Sequence, residues 1–230
     1  MSENSVRGIL HGVALSPFVR KVRCVLAMKG IDYQLVNVMP GAMDAGFREK
    51  SPLSKIPVWE EGDWTLPDSS AIVAYLERIA PQPALFPVDP KAYGEALFLE
   101  EYADTRLVES AAPIFFQRVV HEKVFKKASD EDIVRRQLDE VLPPVFDQIE
   151  AYFMPGLSFW EGAQGESSSI EDFVNVGTLA LWSPLVNLLH ADVEVDAVEW
   201  PRLARFLLEM NQASWLRDIL EEERAALAAY

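Results

Sequence analysis

Residues 8–38, GILHGVALSPFVRKVRCVLAMKGIDYQLVNV, change their hydrophobic period twice. Gly8 to His11 is a short apolar run that suits a buried strand. From Ser16 to Lys29 the apolar positions become Val19, Val22 and Leu26, widened by Val25 and Ala27, which is one face of a helix. Ser16 can cap that helix, Pro17 is accommodated at its first position, and Gly30 stops it. Tyr33 to Val38 returns to a strand pattern. Strand, helix and strand within about thirty residues make a βαβ unit, so the two strands should run parallel.

Downstream, Met39 to Lys50 reads as irregular, with Pro40, Gly41 and Gly46. Ile56–Trp59 and Asp63–Leu66 read as two short strands around Glu61-Gly62. Asp68-Ser69-Ser70 then opens a second helix, with Ile72, Tyr75, Leu76 and Ile79 on its inner side. The order β-α-β, loop, β-β-α is that of a thioredoxin-like domain. Ala80 to Pro90 contains four prolines and cannot be one helix, which makes it a linker. Beyond it the patterns are helical. Lys91 to Phe125 forms one long pattern bent near Pro113, and Ser129 to Phe153 another, interrupted near Pro143-Pro144. Ser169-Ile170-Glu171-Asp172 reads as a variant capping box at the start of a third. Pro201–Leu208 and Ser214–Ala229 complete the set. The expected fold is an α/β thioredoxin-like domain over residues 1–83, a linker at 84–90, and an all-α helical domain over 91–230.

Charge divides the chain in the same place. Residues 1–83 carry nine Lys/Arg and nine Asp/Glu, and residues 84–230 carry twelve and twenty-seven, so the whole net charge of −15 lies in the second part. Such acidity disfavours nucleic acid and anionic membranes as partners. The most apolar stretch, Phe173 to Leu189, is broken by Asn175, Gly177, Ser183, Pro184 and Asn187, and suits a buried helix rather than a membrane span. Met1 to Arg7 lacks the apolar core of an export signal. The single cysteine, Cys24, cannot form an internal disulfide, which agrees with a reducing compartment and a cytoplasmic location. It lies beside Val25, packed as a small hydrophobe. The three histidines, His11, His121 and His190, stand at no ligand spacing, so no metal is expected.

Three motifs carry chemistry. In Ser16-Pro17-Phe18-Val19-Arg20-Lys21-Val22-Arg23 the plain reading is a capped amphipathic helix with its basic residues in solvent. The functional reading aims the Ser16 hydroxyl at an anion, such as a thiolate, at the helix N-terminus. In Ser51-Pro52-Leu53-Ser54-Lys55-Ile56-Pro57-Val58 the plain reading is a loop entering a strand. The functional one makes Pro57 a cis-proline that exposes the backbone of Ile56 to a peptide ligand, with Lys55 meeting a terminal carboxylate. Asp68-Ser69-Ser70 is either a simple helix cap or a site for an amino-acid head group. In the latter, Ser69 binds the carboxylate and Asp68 the ammonium.

In this order and spacing the three motifs resemble the glutathione transferase superfamily, and the resemblance extends over essentially the whole chain. It implies a detoxifying transferase that joins glutathione to a small hydrophobic electrophile, with glutathione as co-substrate and no other cofactor. Ser16 matches the catalytic position of the serine-type classes. Lys55, Ile56, Pro57, Asp68 and Ser69 match the glutathione contacts. Phe18, Phe115 and Phe116 are the candidates for the second-substrate pocket, Phe115 and Phe116 having core packing as their plain alternative. Disulfide-reducing classes carry cysteine where this chain has Ser16. The alternatives are an isomerase of the maleylacetoacetate type, whose helix start resembles Ser-Ser-Cys-Ser rather than Ser16-Pro17-Phe18-Val19, and a glutathione-fold binding protein with little turnover. The resemblance also implies a homodimer, in which a neutral half meets the acidic half of its partner. Asp104 is then a candidate to reach the partner's ligand.

Overall fold

A computed structural model of the protein describes residues 7–41, 43–157 and 173–230. Its first part is β1 (Gly8–His11), α1 (Pro17–Met28), β2 (Tyr33–Val36), α2 (Ala45–Lys50), β3 (Val58–Glu61), β4 (Trp64–Pro67) and α3 (Ser69–Ile79). The four strands form one sheet in the order β2-β1-β3-β4. β1 runs parallel to β2, as the βαβ reading requires, and antiparallel to β3, which pairs with β4 as a hairpin. This is the thioredoxin-like arrangement, and among the described residues only helices follow it.

Local differences from the sequence reading have physical causes. The stretch expected to be irregular contains α2, started by Asp44, whose Oδ1 accepts from the Phe47 amide at 2.8 Å. The helix is only six residues long, too short to show a period, and Phe47 anchors it by packing with Met43 and Val58. β3 begins at Val58 rather than Ile56 because Pro57 has no N–H to give to a ladder. The hairpin turn falls at Gly62-Asp63, where Gly62 takes a left-handed φ of 61°.

The helical part opens with α4 (Pro90–Tyr102) and α5 (Val108–Phe115), joined through a π-wound turn at Ala103–Leu107 and continued by another at Phe116–Val124. Pro113 sits inside α5, unable to donate to the carbonyl of Glu109, and the winding widens just beyond it. α6 (Glu131–Arg136) and α7 (Leu142–Gln148) form the return, with Pro143 and Pro144 in the first turn of α7, where a missing N–H costs little. α8 (Val176–His190) is the centre of the domain, and every residue from Val176 to Leu188 is buried. The helix start expected at Ser169–Asp172 lies outside the described residues. The cap that is described is a box one turn later, in which Asn175 and Thr178 each bond the other's backbone amide, at 3.0 and 2.8 Å. A side chain at Gly177 would come 2.5 Å from the Ala96 carbonyl, so the glycine permits α8 to press against α4. α9 (Pro201–Gln212) and α10 (Arg217–Ala228) follow, and the buried Trp182 of α8 donates to Asn211 of α9 at 2.9 Å. Trp215, beside α10, packs partly buried against the core.

The basic side of α1 does not face solvent. All residues from Val19 to Leu26 are buried, including Arg20, Lys21 and Arg23. The three cations cross from the first domain into the acidic second one. Arg20 meets Glu223, Arg23 meets Glu222, and Lys21 meets Glu100 and Asp104. The charge division along the sequence is thus complementary within one chain. Cys24, in the same buried run, has its thiol pushed far up by burial, which makes it a packing group.

Candidate functional site

The three motifs end on backbone turns whose polar groups are largely unspent. Ser16 is the N-cap of α1, with extended backbone at φ −72° and ψ 129°; Oγ accepts from the Val19 amide at a long 3.4 Å. Its hydroxyl hydrogen has no protein acceptor among the described residues. The hydroxyl therefore stands at the positive end of a twelve-residue helix with a proton to donate.

In the second motif the buried Ser51 fixes the loop. Its Oγ accepts from the Lys55 amide at 3.0 Å and donates to the Lys55 carbonyl at 2.8 Å. The Lys55 side chain is exposed, and its ammonium has no ion pair among the described residues. The Ile56–Pro57 bond is cis, and the backbone N–H and C=O of Ile56 have no hydrogen-bond partner among the described residues. An extended peptide could pair there as an added strand.

In the third motif Asp68 caps α3, its Oδ1 accepting from the Ser70 and Ala71 amides at 3.0 and 3.1 Å. Its Oδ2 remains unpaired among the described residues. Asp68 also holds a left-handed φ of 80°, a strained setting for a residue with a side chain. Ser69 is buried, and its hydroxyl has no partner among the described residues.

Behind this turn lies a cluster that sequence reading missed. Lys21 Nζ donates to Glu100 at 2.8 Å, to Asp104 at 2.5 Å and to Ser70 Oγ at 3.2 Å, and Ser70 donates to Glu100 at 2.7 Å. Burial pushes the Asp104 carboxyl up, Lys21 pulls it down, and Glu100 and Asp68 push it up again, leaving it above the ordinary range. Two carboxylates on one ammonium, with the Asp68 carboxylate acting on Asp104 from nearby, leave a local excess of negative charge, which favours a further cation beside Asp68. Asp104, the candidate for reaching a partner subunit, is engaged by Lys21 of its own chain. Only the acidic surplus of the helical domain hinted at this pairing.

The aromatic candidates divide. Phe18 lies partly buried in the first turn of α1, and Phe115 packs partly buried against the core. Phe116 is exposed and packs at a tilt against His121, with ring centres 4.7 Å apart. Among the described residues no group of His, Cys, Asp and Glu is arranged to hold a metal ion, and no helix is long and apolar enough to cross a membrane.

The fold and the turns define a thioredoxin-like domain joined to a helical one, and similar proteins give that class a name. The family model of the glutathione S-transferase N-terminal domain matches residues 10–84. A glutathione S-transferase of Triticum aestivum is 26% identical over 206 residues, covering 87% of each chain. A probable maleylacetoacetate isomerase of Drosophila melanogaster is 43% identical over 92 residues, 37% of each chain. A solved glutathione S-transferase-I with bound lactoylglutathione superposes with a TM-score of 0.76 at 19% identity, covering 96% of this chain and 99% of that one. The first part of the chain thus carries the glutathione S-transferase N-terminal domain over residues 10–84, and the chain as a whole is similar to glutathione S-transferases in sequence and fold.

Proposed function

We propose that the protein is a serine-type glutathione transferase that adds the glutathione sulfur to an electrophilic carbon of a small hydrophobic acceptor. The observation that carries the reading is the Ser16 hydroxyl, capping α1 with its hydrogen uncommitted. Ser16 donates this hydrogen to the glutathione sulfur and favours the thiolate. Free thiols ionise near pH ~8.5, and each unit of depression takes about 1.4 kcal/mol of preferential stabilisation. A hydrogen bond to a charged acceptor supplies roughly 1.5–3 kcal/mol, enough for one or two units. The thiol proton goes to solvent, the sulfur lone pair forms the new C–S bond, and the displaced group leaves with the old bonding pair. Ser16 is not itself the nucleophile.

The rest of glutathione meets the other two turns. The cysteinyl backbone pairs with Ile56 beside Pro57, and Lys55 faces a carboxylate. The γ-glutamyl head sits at the start of α3, with its carboxylate at Ser69 and its ammonium at Asp68, supported by the acidic surplus of Glu100 and Asp104. Phe18, Phe115 and Phe116 offer apolar surface to the acceptor. Retention on immobilised glutathione, followed by turnover with an aryl halide, tests the reading. Retention without turnover of any electrophile would favour the binding-protein alternative. The resemblance to the fly protein supports a second reading, a glutathione-dependent isomerase, and a diketo-acid substrate distinguishes it.

Asp68→Asn should weaken glutathione about ten-fold by titration calorimetry while leaving stability intact, because asparagine caps a helix as well as aspartate does and lacks only the charge. Wild-type affinity would remove Asp68 from the site.

We place the protein in the cytoplasm, in the detoxification of electrophiles, as a homodimer. The buried lone Cys24 supports the first. An exposed aromatic cluster supports the dimer: Phe98 and Tyr152 are 49% and 69% exposed and pack edge-to-face at 5.8 Å. Sedimentation at micromolar concentration should give about twice the chain mass of 25.9 kDa, and a monomer that still conjugates glutathione would contradict the dimer.

A further inference from the structure

The peptide unit that leads into Ser16 is pinned at both of its polar atoms. Its N–H, that of Ser16, donates to the Val13 carbonyl at 3.0 Å. Its C=O, that of Leu15, accepts from Asn187 Nδ2 on α8 at 3.2 Å. Asn187 is buried, and its other end is also held, because Oδ1 accepts from Arg20 Nη1 at 2.7 Å. This fixes the orientation of the amide. A flipped Asn187 would set its NH2 against a guanidinium and its oxygen against a carbonyl, two repulsions in place of two hydrogen bonds. Arg20 is in turn immobile. It is wholly buried, its Nε and Nη2 grip Glu223 of α10 at 2.8 and 2.7 Å, and Nη1 also donates to the Ser183 carbonyl at 2.5 Å. His190 lies 2.8 Å from the same carboxylate. A continuous buried chain therefore runs from α10 through Arg20 and Asn187 to the carbonyl one atom before the Ser16 nitrogen.

We infer that Asn187 is a positioning residue for Ser16: it sets the plane of the Leu15–Ser16 peptide and so the direction in which the hydroxyl points. The helical domain thereby controls the ionisation of a thiol bound on the other domain, without touching it. The inference rests on the reading of Ser16 given above. A hydroxyl that swings freely about a loose N-cap spends only part of its time aimed at the sulfur, and a misaligned donor weakens steeply with angle.

The test is Asn187→Asp, which keeps the volume and the acceptor facing Arg20 but puts an oxygen against the Leu15 carbonyl. The thiol of bound glutathione is titrated by its thiolate ultraviolet absorbance, and turnover is measured with an aryl halide, in wild type, Asn187→Asp, Ser16→Ala and the double variant. The expected result is a thiol pKa raised by about one unit and turnover near neutral pH reduced roughly ten-fold in Asn187→Asp, with KM for glutathione within about three-fold of wild type. In the Ser16→Ala background the same substitution should change neither quantity, since a residue acting through Ser16 has nothing left to aim. An effect that persists undiminished in that background, or none in the wild-type background, overturns the positioning role while the Ser16 reading stands. Ser16→Ala with an unchanged thiol pKa overturns both. Should Asn187→Asp fail to fold, Asn187→Ala removes the same donor and is judged by the same comparison.

Discussion

Glu223→Ala should cost about 3–5 kcal/mol of folding stability, the largest effect expected of any ion pair among the described residues. Glu223 and Arg20 are both fully buried, and the carboxylate accepts from Nε, Nη2 and the His190 ring. Removing it strands a guanidinium in the interior between α1, α8 and α10. Glu223→Gln should cost less, because an amide oxygen still accepts from Arg20 while only the charge is lost. Burial acts to raise the Glu223 carboxyl, but the charge of Arg20 and the hydrogen bonds from His190 and Arg20 outweigh it and hold the group below the ordinary range. The sign follows. The unfolded chain takes up a proton at a higher pH than the folded one, so this contribution is complete above the ordinary carboxylate range and is lost as pH falls through the lower, folded value. Denaturant titrations near neutral pH and in acid give both quantities. A Glu223→Ala protein within 1 kcal/mol of wild type would mean that the interdomain ion pair is not structural.

The same contacts explain which parts of the molecule were legible in the sequence. The strands of the first domain and the caps at Ser16 and Asp68 could be read because hydrophobic period and cap chemistry are local properties. So could the burial of Cys24 and of the Phe173–Leu189 stretch, since apolar composition alone decides it. The position of Arg20, Lys21 and Arg23 could not. A cation within an amphipathic helix belongs in water unless a specific carboxylate comes to meet it, and Glu100, Asp104, Glu222 and Glu223 arrive from about eighty to two hundred residues away. The charge imbalance between the two parts of the chain was the available signal, and it was assigned to contact between subunits. Asn187 was equally hidden. On sequence it is one polar interruption in an apolar helix, and only the fold brings it under Leu15. Helix α2 escaped because six residues are fewer than two turns.

Ser16→Ala should reduce conjugation turnover by roughly 10–100-fold while leaving glutathione affinity within a few-fold. The asymmetry follows from where the contacts lie. In the proposed complex Asp68, Ser69, Ile56 and Lys55 would meet parts of glutathione that do not change during reaction, whereas the Ser16 hydroxyl would meet the one atom whose charge changes. Losing Ser16 therefore removes stabilisation of the thiolate and not of the bound ligand. The helix should survive, although an alanine N-cap costs it about 0.5–2 kcal/mol, and thermal midpoints measured alongside turnover separate that loss from the chemical one. Turnover equal to wild type would move the role to another donor.

If Ser16 stabilises the thiolate of a glutathione bound at the start of α1, the pKa of that thiol falls, and spectrophotometric titration of the bound thiolate reads the fall. In the wild-type complex the ionisation should fall one to two units below the value near ~8.5 of a free thiol, and in Ser16→Ala it should return most of the way. A bound thiol that ionises at the free value in the wild-type protein, or equally low in both, would mean that Ser16 does not stabilise the thiolate.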